Sequence, residues 1–247
     1  LTQTVNTQPA LVVHAIAALV AAVDAGTMTH RPAFVAGHSL GEYAALIAAN
    51  AVSFEDGVRL VRERGRLMQA ACDAERGTMA AVLGLEPDAV TAICSAHGTA
   101  VCNINAPGNI TIGGTVTAVE AASAAALAGG GKVIPLTVSG AFHTPLMQSA
   151  ADGMRTVLGA APFSDPSVPV ISNVTTKPLT SASQLADELV DQITSPVLWV
   201  DSVRAMHAGG VTKVIEFGPG RVLSGLVKRI ERSLETRNIG TVEDVRA

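Results

Sequence analysis

Ser39 is the residue in this chain whose surroundings most invite chemistry. It lies in Gly37-His38-Ser39-Leu40-Gly41, after the short apolar run 33–36 and before the helix-forming run 42–49. An alcohol is a weak nucleophile at neutral pH and needs an exposed position and a base to become useful. Strand, G-x-S-x-G turn and helix supply the exposure, because the serine sits at the tip of a sharp turn. The two glycines are expected to keep Cβ atoms out of the strand–helix crossing. The helix that follows aims its unpaired N–H groups and positive dipole end at any oxyanion formed there. A buried strand-to-helix turn that merely contains a serine is the competing reading.

Two further side chains stand out. Arg64 falls among Leu60, Val61, Leu67 and Met68 at helical spacing, so it projects from the apolar side of its helix. A guanidinium placed there must be paired, by an internal salt bridge, by a stem that reaches the surface, or by a ligand carboxylate held on its planar fork. His143 follows Gly140-Ala141-Phe142 in a loop just before a helix, at a point where the chain passes from one folding unit to another, and such junctions form clefts. A surface histidine would satisfy the same pattern.

The elements that must position these groups follow from periodicity. Residues 10–23 read as an apolar helix with Pro9 at its first turn, buried on more than one side. Ser53 with Asp56 caps a helix running to about residue 72. From 77 to 138 the order is strand, helix, strand, strand, helix, strand, a ferredoxin-like βαββαβ unit. The spans 168–173 and 211–217 read as strands, 185–193 and 222–234 as helices, and the last dozen residues as a frayed tail. The division is 1–76 and 139–247 for a large α/β domain and 77–138 for an inserted small one. With 48% hydrophobic and 15% charged residues, the chain suits helices packed on a buried parallel sheet. A net charge of −4 gives no case for nucleic acid, and three cysteines without metal-ligand spacing point to reduced thiols. His14, Asp24 and Gly26 interrupt the longest apolar run, so no membrane span is expected.

Taken in order, Thr7-Gln8-Pro9-Ala10, Gly37-His38-Ser39-Leu40-Gly41-Glu42, Arg64-Gly65, Asn103-x-Asn105-x-Pro107-Gly108, Gly140-Ala141-Phe142-His143 and Gly218-Pro219-Gly220 resemble the malonyl-CoA:acyl carrier protein transacylases of bacterial fatty-acid synthesis. The resemblance runs from about Gln8 to Ile230. It implies an α/β-hydrolase-like domain with a parallel sheet and a ferredoxin-like insertion. It implies Ser39 as nucleophile, His143 as base, and the backbone carbonyl of Gln192 orienting the imidazole in place of a carboxylate. It implies Arg64 as the group that binds the malonyl carboxylate, with Leu40 N–H as an oxyanion donor and Gln8 and Phe142 in the substrate site. Phe142 would crowd an α-methyl group. Malonyl-CoA and acyl carrier protein are the implied partners, with coenzyme A entering as a thioester substrate and no cofactor or metal. A cytoplasmic monomer is expected, without nucleic acid or membrane, and Lys228 and Arg229 either receive the carrier or form a solvated face. The family's first strand and a Gly-Gln-Gly turn precede the point where this sequence starts. An upstream segment is therefore expected, and with it a second oxyanion donor whose loss costs about 3 kcal/mol. A serine hydrolase or thioesterase, which would need an Asp or Glu behind the histidine, a polyketide acyltransferase, and an inactive carrier-docking fragment are the alternatives.

Overall fold

The computed structural model describes residues 3–246. Helix α1 (Thr4–Asp24) leads to a segment whose Val35 bridges Val170 in parallel, and the chain then turns into α2 (Gly41–Ala48) and α3 (Phe54–Ala74). Ser53 caps α3 by accepting the Asp56 N–H at 3.0 Å, as its spacing predicts. The next stretch holds β1 (Gly77–Leu83), α4 (Pro87–His97), β2 (Ala100–Ala106), β3 (Asn109–Thr115), α5 (Val116–Ala128) and β4 (Lys132–Pro135). Its four strands form an antiparallel sheet in the order β2-β3-β1-β4, the ferredoxin-like arrangement expected from βαββαβ. Ile110, Ile112, Val82, Val90 and Val119 make a core belonging to that unit alone.

A short 3₁₀ turn at Pro145–Met147 then opens α6 (Gln148–Gly159), followed by β5 (Val170–Ile171), β6 (Pro178–Leu179), α7 (Ala182–Thr194) and α8 (Trp199–Ala208). The chain closes with β7 (Lys213–Phe217), α9 (Val222–Ile230), β8 (Glu235–Ile239) and α10 (Val242–Arg246). The main core joins α2, α3, α6 and α7 through Tyr43, Leu46, Met68, Met154 and Leu189. A third cluster, with Trp199, Val203 and Val227, lies under α8 and α9. The parallel β7–β8 pair and the parallel Val35–Val170 bridge are the α/β part of the fold.

Several expectations need correction. Helix α1 begins at Thr4, so Pro9 lies inside it, in the second turn. Its Leu11, Val13, Val20 and Val23 are exposed, so an apolar composition on all sides did not mean burial on all sides. By length and apolar composition α1 is also able to cross a membrane, a test that core helices pass too. Here it runs along α3, where a Cβ on Gly65 would lie 2.9 Å from Val5 Cα and 3.1 Å from Thr4 O. Of the last dozen residues, those described are not frayed: β8 adds a strand beside β7, and Asp244 accepts the N–H groups of Gly240 and Thr241 at 3.1 and 2.9 Å. Helix α8 was not foreseen, and the two strands at 168–173 and 211–217 shorten to Val170–Ile171 and Lys213–Phe217.

Candidate active site

The turn at Ser39 is tight for a reason visible at Gly37. A Cβ there would overlap the backbone of Gly41, so only glycine fits. Gly41 itself would accept a Cβ freely, so one glycine of the pattern, not both, is required by packing. Ser39 has φ 50° and His143 φ 61°, the left-handed region that non-glycine residues rarely adopt. Such strain persists only where neighbours over-determine the conformation. At Ser39 the neighbour is Asn173, at the end of the β5 segment. Its Oδ1 accepts the Ser39 N–H at 2.7 Å and its Nδ2 donates to Gly37 O at 2.7 Å.

Ser39 Oγ lies 2.8 Å from His143 Nε2, and His143 Nδ1 lies 2.8 Å from the backbone carbonyl of Gln192. A carbonyl can only accept, so Nδ1 carries the proton and Nε2 is left to accept from the serine hydroxyl. Among the described residues no carboxylate stands behind the imidazole, which removes the arrangement a serine hydrolase would need. His143 is buried, and burial holds its pKa down at about 3, with the Arg64 charge as the next cause and His38 adding to it. The ring is therefore a neutral acceptor across the ordinary pH range.

Arg64 is 1% exposed, as its place on the apolar side of α3 predicted. Its NH1 donates to Gln8 Oε1 at 2.7 Å, and its NH2 donates to Gln192 Oε1 at 2.9 Å and to Ser39 Oγ at 3.1 Å. The Tyr43 ring centroid is 5.8 Å from its Cζ, and Nε has no partner. Among the described residues no carboxylate pairs with it at salt-bridge distance, so the guanidinium is a buried cation whose hydrogen-bond partners are all neutral groups. Burial lowers its pKa, while Tyr43 and Glu42 act the other way. Gly65, the next residue, lets α1 approach closely enough for Gln8 to reach the guanidinium.

Gln192 joins these groups. Besides its carbonyl on His143 and its Oε1 on Arg64, its Nε2 donates to Ser39 O at 3.0 Å and to the Glu42 carboxyl group. Glu42 is fully buried and also accepts the Asn173 N–H at 3.3 Å. Burial, then Glu188, raises its pKa to about 8, against Gln192, Asn173 and Arg64, which lower it. The site opens into a cavity of about 290 Å³ whose walls include Gln8, Leu40, Met68, Leu136 and Phe142. The Leu40 N–H makes no hydrogen bond among the described residues and is free to donate. Across the cleft, His38 Nε2 meets Asn105 Oδ1 at 2.9 Å, and β2 bonds the segment after α7 through Ile104 N to Val197 O and Val197 N to Cys102 O, each 2.9 Å. A second cavity, about 340 Å³ beside Arg221, Ser224, Arg237 and Asp244, shares no residue with this one.

Ser39, Leu40, Arg64, His143, Gln192, Gln8 and Phe142, all expected in the site, thus meet in one place. Lys228 is occupied on its own helix end, donating to Arg232 O at 3.4 Å. Sequence reasoning missed Asn173, Glu42 and the His38–Asn105 contact, although His38, Glu42 and Asn105 stand inside motifs it had already marked.

An acyl carbonyl placed over Ser39 would meet a base, a free N–H and a cation suited to an anionic acyl tail. On an α/β elbow this combination defines a serine-dependent acyltransferase. The chain belongs to the acyl transferase domain family, whose model matches residues 1–244. It is 45% identical over 251 residues to the malonyl CoA-acyl carrier protein transacylase of Bacillus subtilis (strain 168), covering 99% of this chain and 78% of that one. The acyl carrier protein S-malonyltransferase of Vibrio cholerae O1 matches with a TM-score of 0.95 at 39% identity, over 99% of this chain and 81% of the other. A malonyl-transacylase solved in complex with a type II PKS acyl-carrier protein matches with a TM-score of 0.94 at 37% identity, over 99% and 80%.

Proposed function

We propose that this protein transfers a malonyl group from malonyl-CoA to the phosphopantetheine thiol of an acyl carrier protein, through a malonyl ester on Ser39. The observation that carries the reading is the Ser39 hydroxyl, which is within hydrogen-bond reach of both a neutral imidazole and a buried guanidinium that lacks a counter-ion. His143 Nε2 takes the Ser39 proton as Oγ attacks the thioester carbonyl, forming the C–O bond. The oxyanion is held by the Leu40 N–H. Collapse breaks the C–S bond, and the proton on His143 passes to the departing sulfur, so coenzyme A leaves as its thiol. The carrier's thiol then enters, gives its proton to the same nitrogen, and takes the acyl group by the reverse sequence. The Gln192 carbonyl keeps the imidazole in the tautomer this requires.

Arg64, held by Gln8 and Gln192, binds the malonyl carboxylate on its fork and fixes the acyl chain so that water is badly placed. Phe142 limits the room beside the α-carbon. The chemistry uses only side chains and backbone of this chain, with coenzyme A entering as substrate. Residues 77–138 act as an inserted small domain on a large domain of 1–76 and 139–247, a division supported by their separate cores. The protein is read as a cytoplasmic monomer of fatty-acid synthesis. A polyketide carrier is a second reading, favoured by the likeness to the complex with a type II PKS carrier. Relative kcat/KM on the two carriers decides between them.

Intact-mass measurement after mixing with malonyl-CoA tests the central claim. A stable malonyl adduct that disappears in Ser39→Ala supports the transacylase. Fast release of free malonate without an adduct, or an adduct retained in Ser39→Ala, would sink it.

A further inference from the structure

Arg64 makes a contact that carboxylate binding alone does not explain. Its NH2 donates to Ser39 Oγ at 3.1 Å, and the hydroxyl hydrogen already points to His143 Nε2 at 2.8 Å. A hydroxyl oxygen has two lone pairs, and attack on a carbonyl uses one of them. In the structure one lone pair is engaged by a cation. The same cation is the second cause, after burial, that makes His143 a weak base.

We propose that Arg64 is a gate on the nucleophile as well as a carboxylate receptor: with no anion present its guanidinium holds the Ser39 hydroxyl and sets a positive charge beside His143, and the carboxylate of the incoming acyl group relieves both restraints. The inference rests on the malonyl-transfer reading and extends it to rate control. The guanidinium has a donor ready for the exchange, because Nε is buried without a partner and forms one edge of the plane with NH2. A carboxylate accepting from that edge is a stronger partner than a hydroxyl or an amide oxygen, since both members of the pair are charged. Drawing NH2 toward it returns the lone pair to Ser39. Pairing also cancels the charge that His143 experiences, so its base strength rises during the step in which it must take a proton.

The titratable groups acting on His143 are Arg64 on α3 and His38 in the elbow, and those acting on Arg64 are Glu42 and Tyr43 at the start of α2. Desolvation lowers the pKa of the half-buried His38, which favours its neutral form and leaves Arg64 as the permanent cation that a ligand can switch off. Selectivity for an anionic acyl group then appears in the chemical step and not only in binding, which is how an interaction made in the transition state raises kcat. Ser39 in the resting protein is correspondingly slow toward neutral acyl donors.

Malonyl can be divided into an acetyl group and a one-carbon carboxylate, and this makes the gate testable on the unaltered protein, with a variant only as the control. The rate of acetylation of Ser39 by acetyl-CoA is followed by intact mass, with sodium formate added at constant ionic strength against sodium chloride. Formate in the carboxylate subsite should accelerate acetyl loading by about three- to tenfold, the change expected for up to one unit of base strength. It should also move the acid limb of the loading rate to higher pH, because a base with a restored pKa protonates sooner as pH falls. In Arg64→Met the acceleration should vanish. Formate that slows loading, leaves it unchanged, leaves acetyl-CoA unable to load, or accelerates Arg64→Met equally would overturn the gate. Malonyl-CoA loading on the same preparation separates the two ideas: normal malonyl loading without a formate effect rejects only the gate, whereas no malonyl-serine at all rejects the function on which it rests.

Discussion

Replacing Arg64 with Met removes a charge while keeping most of the volume, and the structure sets two opposing consequences for it. In the resting protein the guanidinium is 1% exposed and receives no counter-charge, only three hydrogen-bond acceptors. Hydrogen bonds from a charged donor are worth about 1.5–3 kcal/mol each, so three supply roughly 4–9 kcal/mol. Burying the cation costs several kcal/mol, an amount of the same size. The variant should therefore unfold within about 2 kcal/mol of the wild type, read from urea midpoints at constant slope. Catalysis should respond very differently. Losing one partner of a desolvated charge pair costs about 3–5 kcal/mol, so malonyl loading should fall by roughly two to three and a half decades. Acetyl loading, which has no carboxylate to lose, should not fall. The assay is single-turnover intact mass with each donor, beside the unfolding curves. Equal losses for the two donors, or a destabilisation beyond about 4 kcal/mol, would refute this account of a cation kept for its ligand.

Asn173→Ala should be the more damaging change to stability, because it leaves the half-buried Ser39 N–H and the buried Gly37 carbonyl without partners. Two such groups cost about 2–5 kcal/mol, measurable by urea unfolding. Gln192→Met keeps the carbonyl on His143 but removes the side-chain contacts to Arg64, Ser39 and Glu42. Malonyl loading should drop about tenfold or more, at roughly 1–3 kcal/mol for each contact left unsatisfied, while its pH dependence keeps the same shape. Stability should decline on both sides of neutrality for separate reasons. His143 has its pKa lowered from 6.5 to about 3, so the unfolded chain takes up a proton first and stability is lost as pH falls below 6.5. Glu42 has its pKa raised from 4.5 to about 8, so its contribution is complete below 4.5 and lost as pH rises through 8. Glu42→Gln should flatten the decline between pH 6.5 and 8, by about 1.4 kcal/mol per pH unit at most, in urea midpoints taken across pH. An unchanged slope in that variant would show the carboxyl group to be ionised in the fold.

What could be read in advance was whatever has a local signature. Ser39 has its turn, Arg64 its place on the wrong side of an amphipathic helix, and the ferredoxin-like unit its alternation of strand and helix. Asn173 has none, since the groups it holds lie 134 and 136 residues away. Gln192 sits in α7 as a polar residue that any amphipathic helix carries, and nothing local shows that it is buried or that its side chain joins three others. An acid in the first turn of a helix, such as Glu42, reads as a partner of the dipole, yet this one faces inward. Strand β8 falls mostly within the dozen residues that read as a tail, and its Thr236-Arg237-Asn238 carries no apolar alternation. It is held by parallel pairing with β7, a contact that periodicity cannot reveal. Helix α1 failed in the opposite sense, because an apolar composition fixes what a helix tolerates and not what lies against it.

The closeness of Gly77 to Ala141, whose nitrogen is 2.9 Å from where a Gly77 Cβ would stand, bears on how the site is assembled. Ser39 and His143 are 104 residues apart along the chain. Once residues 77–138 have folded on themselves, their two ends adjoin, and the loop that remains to be closed is only about 40 residues long, which lowers the closure entropy by about 0.8 kcal/mol. A chain that completes the inserted unit early therefore reaches the serine–histidine contact with a smaller search. Variants that slow that unit should delay the appearance of activity on refolding more than the appearance of helix.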